Sequence, residues 1–180
     1  MIADSVTLPP ALGASVRRKP VQRSGAVSGF AAGSLIRTIF GQRRVEALMA
    51  GDLLLDATGQ IVELRGIRKR RVQARDSIQL DPTALGLGMA PGRLDRPLVV
   101  GAGQKLAIRD WRSEILFAKP VLTTARALID GVHIRRGAAG HVTLYQLQLE
   151  QDCILVADGL KALVAVSARG AISDARLRQQ

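Results

Sequence analysis

The sequence predicts an all-β protein folded as a single domain, and three observations carry that expectation. Short apolar or alternating runs recur through residues 28–165, divided by turn residues, and no strand–helix–strand alternation interrupts them. Hydrophobic residues make up 47% of the chain but aromatics only 3%, so the core must be built from Leu, Val, Ile and Ala. A chain of 180 residues suits one domain, and a domain of that size buries about two thirds of its unfolded surface.

Residues 1–27 hold Pro, Gly and Ser without sustained periodicity and carry Arg17-Arg18-Lys19. They read as a flexible basic arm. Leu35-Ile36 and Ile39-Phe40 precede Val45, Leu48 and Met49, whose spacing suits one or two turns of helix. Gly51-Asp52 opens a strand at Leu53–Leu55, and Asp56–Gln60 is a turn. Ile61 to Ile67 and Val72 to Leu80 each alternate as a strand. Asp81 to Pro97 is loop-like. Leu98–Val100 and Leu106–Ile108 read as strands on either side of a Gly-Ala-Gly-Gln turn. Glu114 to Phe117 suggests another strand, and Thr123 to Ile129 a short helix ending at Asp130-Gly131. Val142 to Leu149 alternates strongly, and Glu150–Asp152 turns the chain into the apolar run Cys153–Ala157. Residues 166–180 form a polar tail.

Little conventional chemistry is available. The one cysteine, Cys153, excludes an internal disulfide and a cysteine-clustered zinc site. Its place in an apolar strand suits inert packing better than nucleophilic attack. His133 and His141 lie eight residues apart, which is not a metal-ligand spacing. No metal or cofactor is expected. "PLVVGAGQKLAI" starts like a dinucleotide fingerprint, but Leu106 stands where the third small residue belongs and no helix follows. A G-x-S-x-G nucleophile elbow is absent. No apolar run reaches 18 residues, so no membrane span is expected. The early acid and later basic cluster reverse the order of a secretory signal, which makes the cytoplasm the expected compartment.

Net charge is +11, which favours anionic partners. Arg65, Arg68, Lys69, Arg70, Arg71 and Arg75 are the candidate nucleic-acid patch, although no aromatic residues interleave to stack bases.

The order of segments is more specific than any one of them. "GFAAGSLIRT" followed by "RRVEALMAGDLLLDATGQ" resembles the opening of bacterial Hedgehog/intein (Hint) domains. "ELRGIRKRRV", "RPLVVGAGQKLAIRD" and the stretch from Ala127 to Leu160 resemble their later blocks, in order. The resemblance implies a horseshoe-shaped, pseudo-twofold β fold over residues 28–165 and an autocatalytic ancestry. In that family a first-position Cys or Ser attacks the preceding carbonyl, and a Thr/Ser-x-x-His segment activates the bond and protonates the leaving amine. Such chemistry needs a nucleophile, a proton carrier and oxyanion donors.

Here the nucleophile position is Gly29, the Thr/Ser-x-x-His segment is Gly101 to Gln104, and two later family histidines align with Gln146 and Asp152. What matches is framework: Phe30, Gly33, Ser34, Glu46, Leu48, Gly51, Asp52, Gly66, Tyr145, Ala157 and Gly159. The resemblance therefore implies a pseudoenzyme acting as a binding or scaffold module, with a protein partner at the cleft around Gly29, Gly101 and Gln104. Self-cleavage before Ser28 or Gly29 is the first alternative, with Ser28 as a shifted nucleophile, although a one-residue slip turns a side chain to the other face. Nucleic-acid binding is the second.

Overall fold

The computed structural model describes residues 26–81, 97–108 and 121–166. The expected loop at 82–96, the strand at Glu114–Phe117, the tail from 167 and the arm up to residue 25 lie outside them. Among the described residues there are fourteen strands, three single turns of 3-10 helix and no longer helix. None of these helices is long and apolar enough to cross a membrane.

The strands are β1 (Phe30–Ala31), β2 (Leu35–Thr38), β3 (Gly41–Arg44), β4 (Leu53–Leu55), β5 (Ile61–Glu63), β6 (Gly66–Gln73) and β7 (Ser77–Leu80). They continue as β8 (Leu98–Gly101), β9 (Lys105–Ile108), β10 (Val121–Thr124), β11 (Ile134–Arg136), β12 (His141–Gln148), β13 (Cys153–Ala157) and β14 (Leu160–Val164). One sheet has six strands in the order β11-β7-β8-β1-β12-β6. The other has eight: β10-β9-β14-β13-β2-β4-β5, with β3 paired to β2. Every pairing is antiparallel. The two sheets curl around one largely aliphatic core that includes Phe30, Ile36, Leu54, Ile78, Leu106 and Leu155. A smaller cluster of Ala31, Val72 and Leu144, backed by Val27, Val99 and Val142, lies apart from it.

Several expected elements divide differently. Ile61 to Ile67 is not one strand: β5 belongs to the eight-stranded sheet and β6 to the six-stranded one. Leu64, fully buried at the crossing, exchanges backbone hydrogen bonds with Gly51 and Asp52, while Arg65 N–H donates to Gln148. Val72 to Leu80 is broken at Ala74–Asp76 by a 3-10 turn, where Ser77 Oγ donates to the Ala74 carbonyl at 2.7 Å. Gly41–Arg44, expected beside a helix, pairs with β2, and the helix itself is the single turn Val45–Ala47. The expected helix at Thr123–Ile129 shrinks to Ala125–Leu128, because Thr123 and Thr124 pair with β9.

The opening is a set of backbone clasps. Glu46 Oε2 accepts from Gly33 N–H at 2.7 Å, and Asp52 accepts from Met49 N–H at 2.8 Å while meeting Arg43 Nη1 at 3.2 Å. Buried Asp158 accepts from Leu35 N–H at 3.1 Å and ties the β13–β14 turn to β2.

At the β11 entry, Asp130 Oδ1 accepts from the backbone N–H groups of Val132, His133 and Ile134 at 2.7–2.8 Å. The Ile134 bond leads the causes that hold its carboxyl below the usual 3.8; slight burial opposes it, and the other two bonds and His133 add to it. A lowered folded value stabilises the turn above the unfolded pKa and loses that contribution as pH falls through the folded one. An NMR acid titration should therefore move the Ile134 amide with a midpoint below 3.8. A higher midpoint would count against this clasp.

Candidate functional site

Residues 26–29 enter the six-stranded sheet beside the corner that links β8 to β9. Phe30 pairs with Val100 on one side and Tyr145 on the other, which sets β1 between β8 and β12. The ladder to β8 continues beyond the strand: Gly101 N–H donates to the Gly29 carbonyl, and Gly103 N–H to the Val27 carbonyl, both at 2.9 Å. A cleft of about 190 Å³ opens where this segment meets β12 and β14, lined by Ser28, Gly29, Gln104, Lys105, Gln146 and Leu163 among others.

Gln104 organises the cleft. It is only 2% exposed, and its Oε1 accepts from Gly29 N–H at 3.0 Å. Its Nε2 donates to the Leu163 carbonyl at 2.8 Å and to the Lys105 carbonyl at 3.2 Å. Gly29 leads directly into β1 of the six-stranded sheet and Leu163 lies in β14 of the eight-stranded one, so this carboxamide ties the two sheets together. A buried carboxamide can do this because it both donates and accepts.

Gly29 has φ +125°, a region that side-chain-bearing residues rarely adopt, and a Cβ there would lie 2.9 Å from the Tyr145 carbonyl oxygen. A Cβ on Gly101 would sit 2.1 Å from the Val27 carbonyl oxygen, and one on Gly103 2.0 Å from that of Ala26. Both positions must be side-chain-free for the entering segment to lie where it does.

The remaining predicted positions are less convergent. Gln146 Nε2 donates to the Ser28 carbonyl at 3.0 Å from across the cleft. Asp152 is elsewhere: its Oδ1 accepts from Val166 N–H at 2.8 Å. Ser28, the alternative nucleophile, is exposed, and its hydroxyl bonds to no described residue. His141 lies five residues before Gln146 on β12, about 16 Å along the strand. His133 precedes β11, three places from β1 in the sheet, about 14 Å away at the usual strand spacing. Lys105, exposed at the rim, is the only ionisable side chain among the described residues of the lining.

The basic residues of the 65–75 stretch are divided between the two sides of β6. Arg68 to Arg71 occupy consecutive positions of β6, so Arg68 and Arg70 point to one side and Lys69 and Arg71 to the other. Lys69 Nζ lies 5.6 Å above the Tyr145 ring. Arg65 is held by Glu63 at 2.6 Å and Glu150 at 2.5 Å, and Arg75 belongs to the 3-10 turn.

Cys153 is buried in β13. Burial, with the Asp56 carboxylate as a second cause, pushes its thiol up. Alkylation of the native protein near pH 8 should be slower than in denaturant by about tenfold or more. Equal rates would contradict the buried placement.

Sequence reasoning set a cleft around Gly29, Gly101 and Gln104; Gly29 and Gln104 line the cleft described here together with Gln146, Gly101 lies beside it through its bond to Gly29, and Val27, Gly103 and the Leu163 carbonyl were not anticipated. The signal for Gly103 was available: two glycines at alternate positions of a strand end leave one face bare for another backbone.

Residues 28–164 match the family model described as the Hint domain. A bacterial intein-like domain from Clostridium thermocellum is similar in structure, with 14% identity, a TM-score of 0.50, and coverage of 77% of this chain and 99% of that one. The MchDnaB-1 intein, in a variant form, has 12% identity, a TM-score of 0.47 and coverage of 77% and 99%. No curated protein matches. With most of its length inside the family model and its strands arranged as two curled sheets, the chain belongs to the Hint-domain family.

Proposed function

We propose that this Hint domain does not process itself and serves as a folded binding or scaffold module. The observation that carries the reading is the pair Gly29–Gln104. The position of the family's nucleophile has no side chain. The position of its proton carrier holds a buried carboxamide already committed to the Gly29 N–H and the Leu163 carbonyl. A carboxamide does not exchange protons near neutral pH, so neither attack nor leaving-group protonation has an agent at these positions. Lys105 at the rim and the exposed Ser28 hydroxyl are not linked by any hydrogen bond among the described residues.

Intact-mass spectrometry of purified protein, incubated with and without a strong thiol, tests the reading. One species at 19.2 kDa is expected under both conditions. Two fragments summing to that mass, broken before Ser28 or Gly29, would overturn it.

A further inference from the structure

We infer that the corner formed by the β2–β3 turn, the Met49–Asp52 turn and the β4–β5 hairpin is a docking surface for an anionic lipid membrane. The inference rests on exposed apolar side chains and on local charge, and is independent of whether the domain cuts itself.

Ile39 and Phe40 are the two residues of the turn between β2 and β3, closed by the pair Thr38–Gly41. Other groups hold that turn. Thr38 Oγ1 donates to the Gly41 carbonyl at 2.7 Å and accepts from Phe40 N–H at 3.2 Å, and Gly41 supplies φ +102°. Tight turns ordinarily carry Gly, Asn, Asp or Ser, so nothing in the backbone requires a phenylalanine here. Phe40 is nonetheless 87% exposed, and it has apolar company. Ile39 N–H donates to the Leu53 carbonyl at 3.1 Å, and Leu53 follows the turn in which Asp52 N–H donates to the Met49 carbonyl. Arg43 on β3 bonds Asp52 at 3.2 Å, which draws the two turns together. The pair Thr38–Leu54 sets Leu54 inward, so Leu53 and Leu55 face outward, with Ile61 opposite Leu55. Met49 is 66% and Ile61 62% exposed. Apolar side chains grouped on a surface in this way mark a contact site.

Charge selects the partner. The carboxylates of residues 37–65 are all engaged: Glu46 with Gly33 N–H, Asp52 with Arg43 and Met49 N–H, Asp56 with the Thr58 and Gln60 N–H groups, and Glu63 with Arg65. Arg37 and Arg44 are exposed, and their side chains make no hydrogen bond or ion pair among the described residues. The register that pairs Thr38 with Leu54 sets Arg37 beside Leu55 on the outward face. A second copy of the chain would bring these arginines together with no free carboxylate at the corner to answer them, on a protein of net charge +11. An anionic bilayer meets both requirements. Apolar tips enter the acyl boundary while guanidinium groups stay among the headgroup phosphates. Phe40 stands at a turn apex and not within a flat patch, the form suited to insertion.

Co-sedimentation of the full chain with vesicles tests this. The protein should pellet with vesicles of phosphatidylcholine carrying about one third phosphatidylglycerol, and stay in solution with phosphatidylcholine alone. Phe40→Ser should weaken the binding by roughly tenfold or more, the loss of one inserted aromatic ring. Met49→Ser should weaken it less, and Arg37→Gln combined with Arg44→Gln by about tenfold. Because Phe40 is almost wholly exposed, its variant should keep the native thermal midpoint, which separates lost binding from lost folding. No binding to the anionic vesicles would reject the inference. Equal binding by Phe40→Ser would assign the attraction to net charge alone and reject the site. Self-association abolished by the same variant, with no vesicle binding, would make the corner an interface between copies and overturn the lipid assignment. Mass fragments in a chain that still binds vesicles through Phe40 would reject the inactive reading and leave the membrane site standing.

Discussion

Phe30→Ala should lower the unfolding free energy by about 3–5 kcal/mol, the largest loss expected from any single truncation here. Phe30 is 1% exposed and is one of only three phenylalanines in the chain. Apart from Tyr145, the core it belongs to is aliphatic, with Leu98, Val100 and Leu147 among its members. Such side chains pack to high density and cannot flow into the space a ring leaves, so a cavity adds to the lost transfer energy. The backbone context makes the site more sensitive still. β1 has only two residues and is held on both edges, by β8 and by β12, so Phe30 anchors the centre of the six-stranded sheet. Urea unfolding followed by far-UV circular dichroism should show a lower midpoint with an unchanged slope. A loss under about 1 kcal/mol would mean the ring is not the core element described.

The sequence revealed the fold class because period-two alternation survives any sheet arrangement. It did not reveal where the chain changes sheets. Ile61 to Ile67 alternates without interruption, yet the chain crosses between sheets at Leu64 and Arg65. A buried leucine at a corner and a buried leucine in a strand look the same in sequence. The short strands Gly41–Arg44 and Ile134–Arg136 were missed for a different reason: the first is polar and largely exposed although it pairs with adjacent β2, and the second has one buried residue, Ile134, and pairs with β7 more than fifty residues earlier. Of the cleft, the resemblance named Gly29, Gly101 and Gln104, and Gln146 separately from them, but only as positions where something is lacking. What they contribute could not be read from one-dimensional order. The reach of Gln104 to Leu163 spans 59 residues and joins two sheets. The approach of Ala26 and Val27 to Gly103 and Gly101 depends on a segment that, by composition, belongs to the arm.

Restoring the family's chemical groups by Gly29→Cys, Gly101→Thr and Gln104→His together should yield a weakened protein that still does not cut itself. Each replacement meets a specific obstacle. At position 29 a side chain must adopt φ +125° and approach the Tyr145 carbonyl to 2.9 Å, a strain of about 1–3 kcal/mol. At position 101 the threonine Cβ would fall 2.1 Å from the Val27 carbonyl oxygen, and that oxygen is backbone, so the entering segment must leave its place. At position 104 an imidazole cannot accept from Gly29 N–H and donate to both the Leu163 and Lys105 carbonyls, as the carboxamide does. Leaving such buried partners unsatisfied costs about 1–3 kcal/mol each. These residues touch one another through the same few hydrogen bonds, so their effects will not simply add. Even a partial sum is a large fraction of the roughly 5–15 kcal/mol that holds a domain together. The thermal midpoint should therefore fall by roughly 5–15 °C, and the intact mass should persist after incubation with thiol. The displaced segment contains the carbonyl that a thiolate at position 29 would have to attack, so the substitutions that supply the reacting groups also remove their target from alignment. Cleavage before residue 29 in the triple variant would show that the backbone had remained competent and that only side chains had been lost. Its absence, together with loss of protection at the residue 103 amide, would locate the barrier to reactivation in the seating of residues 26–29.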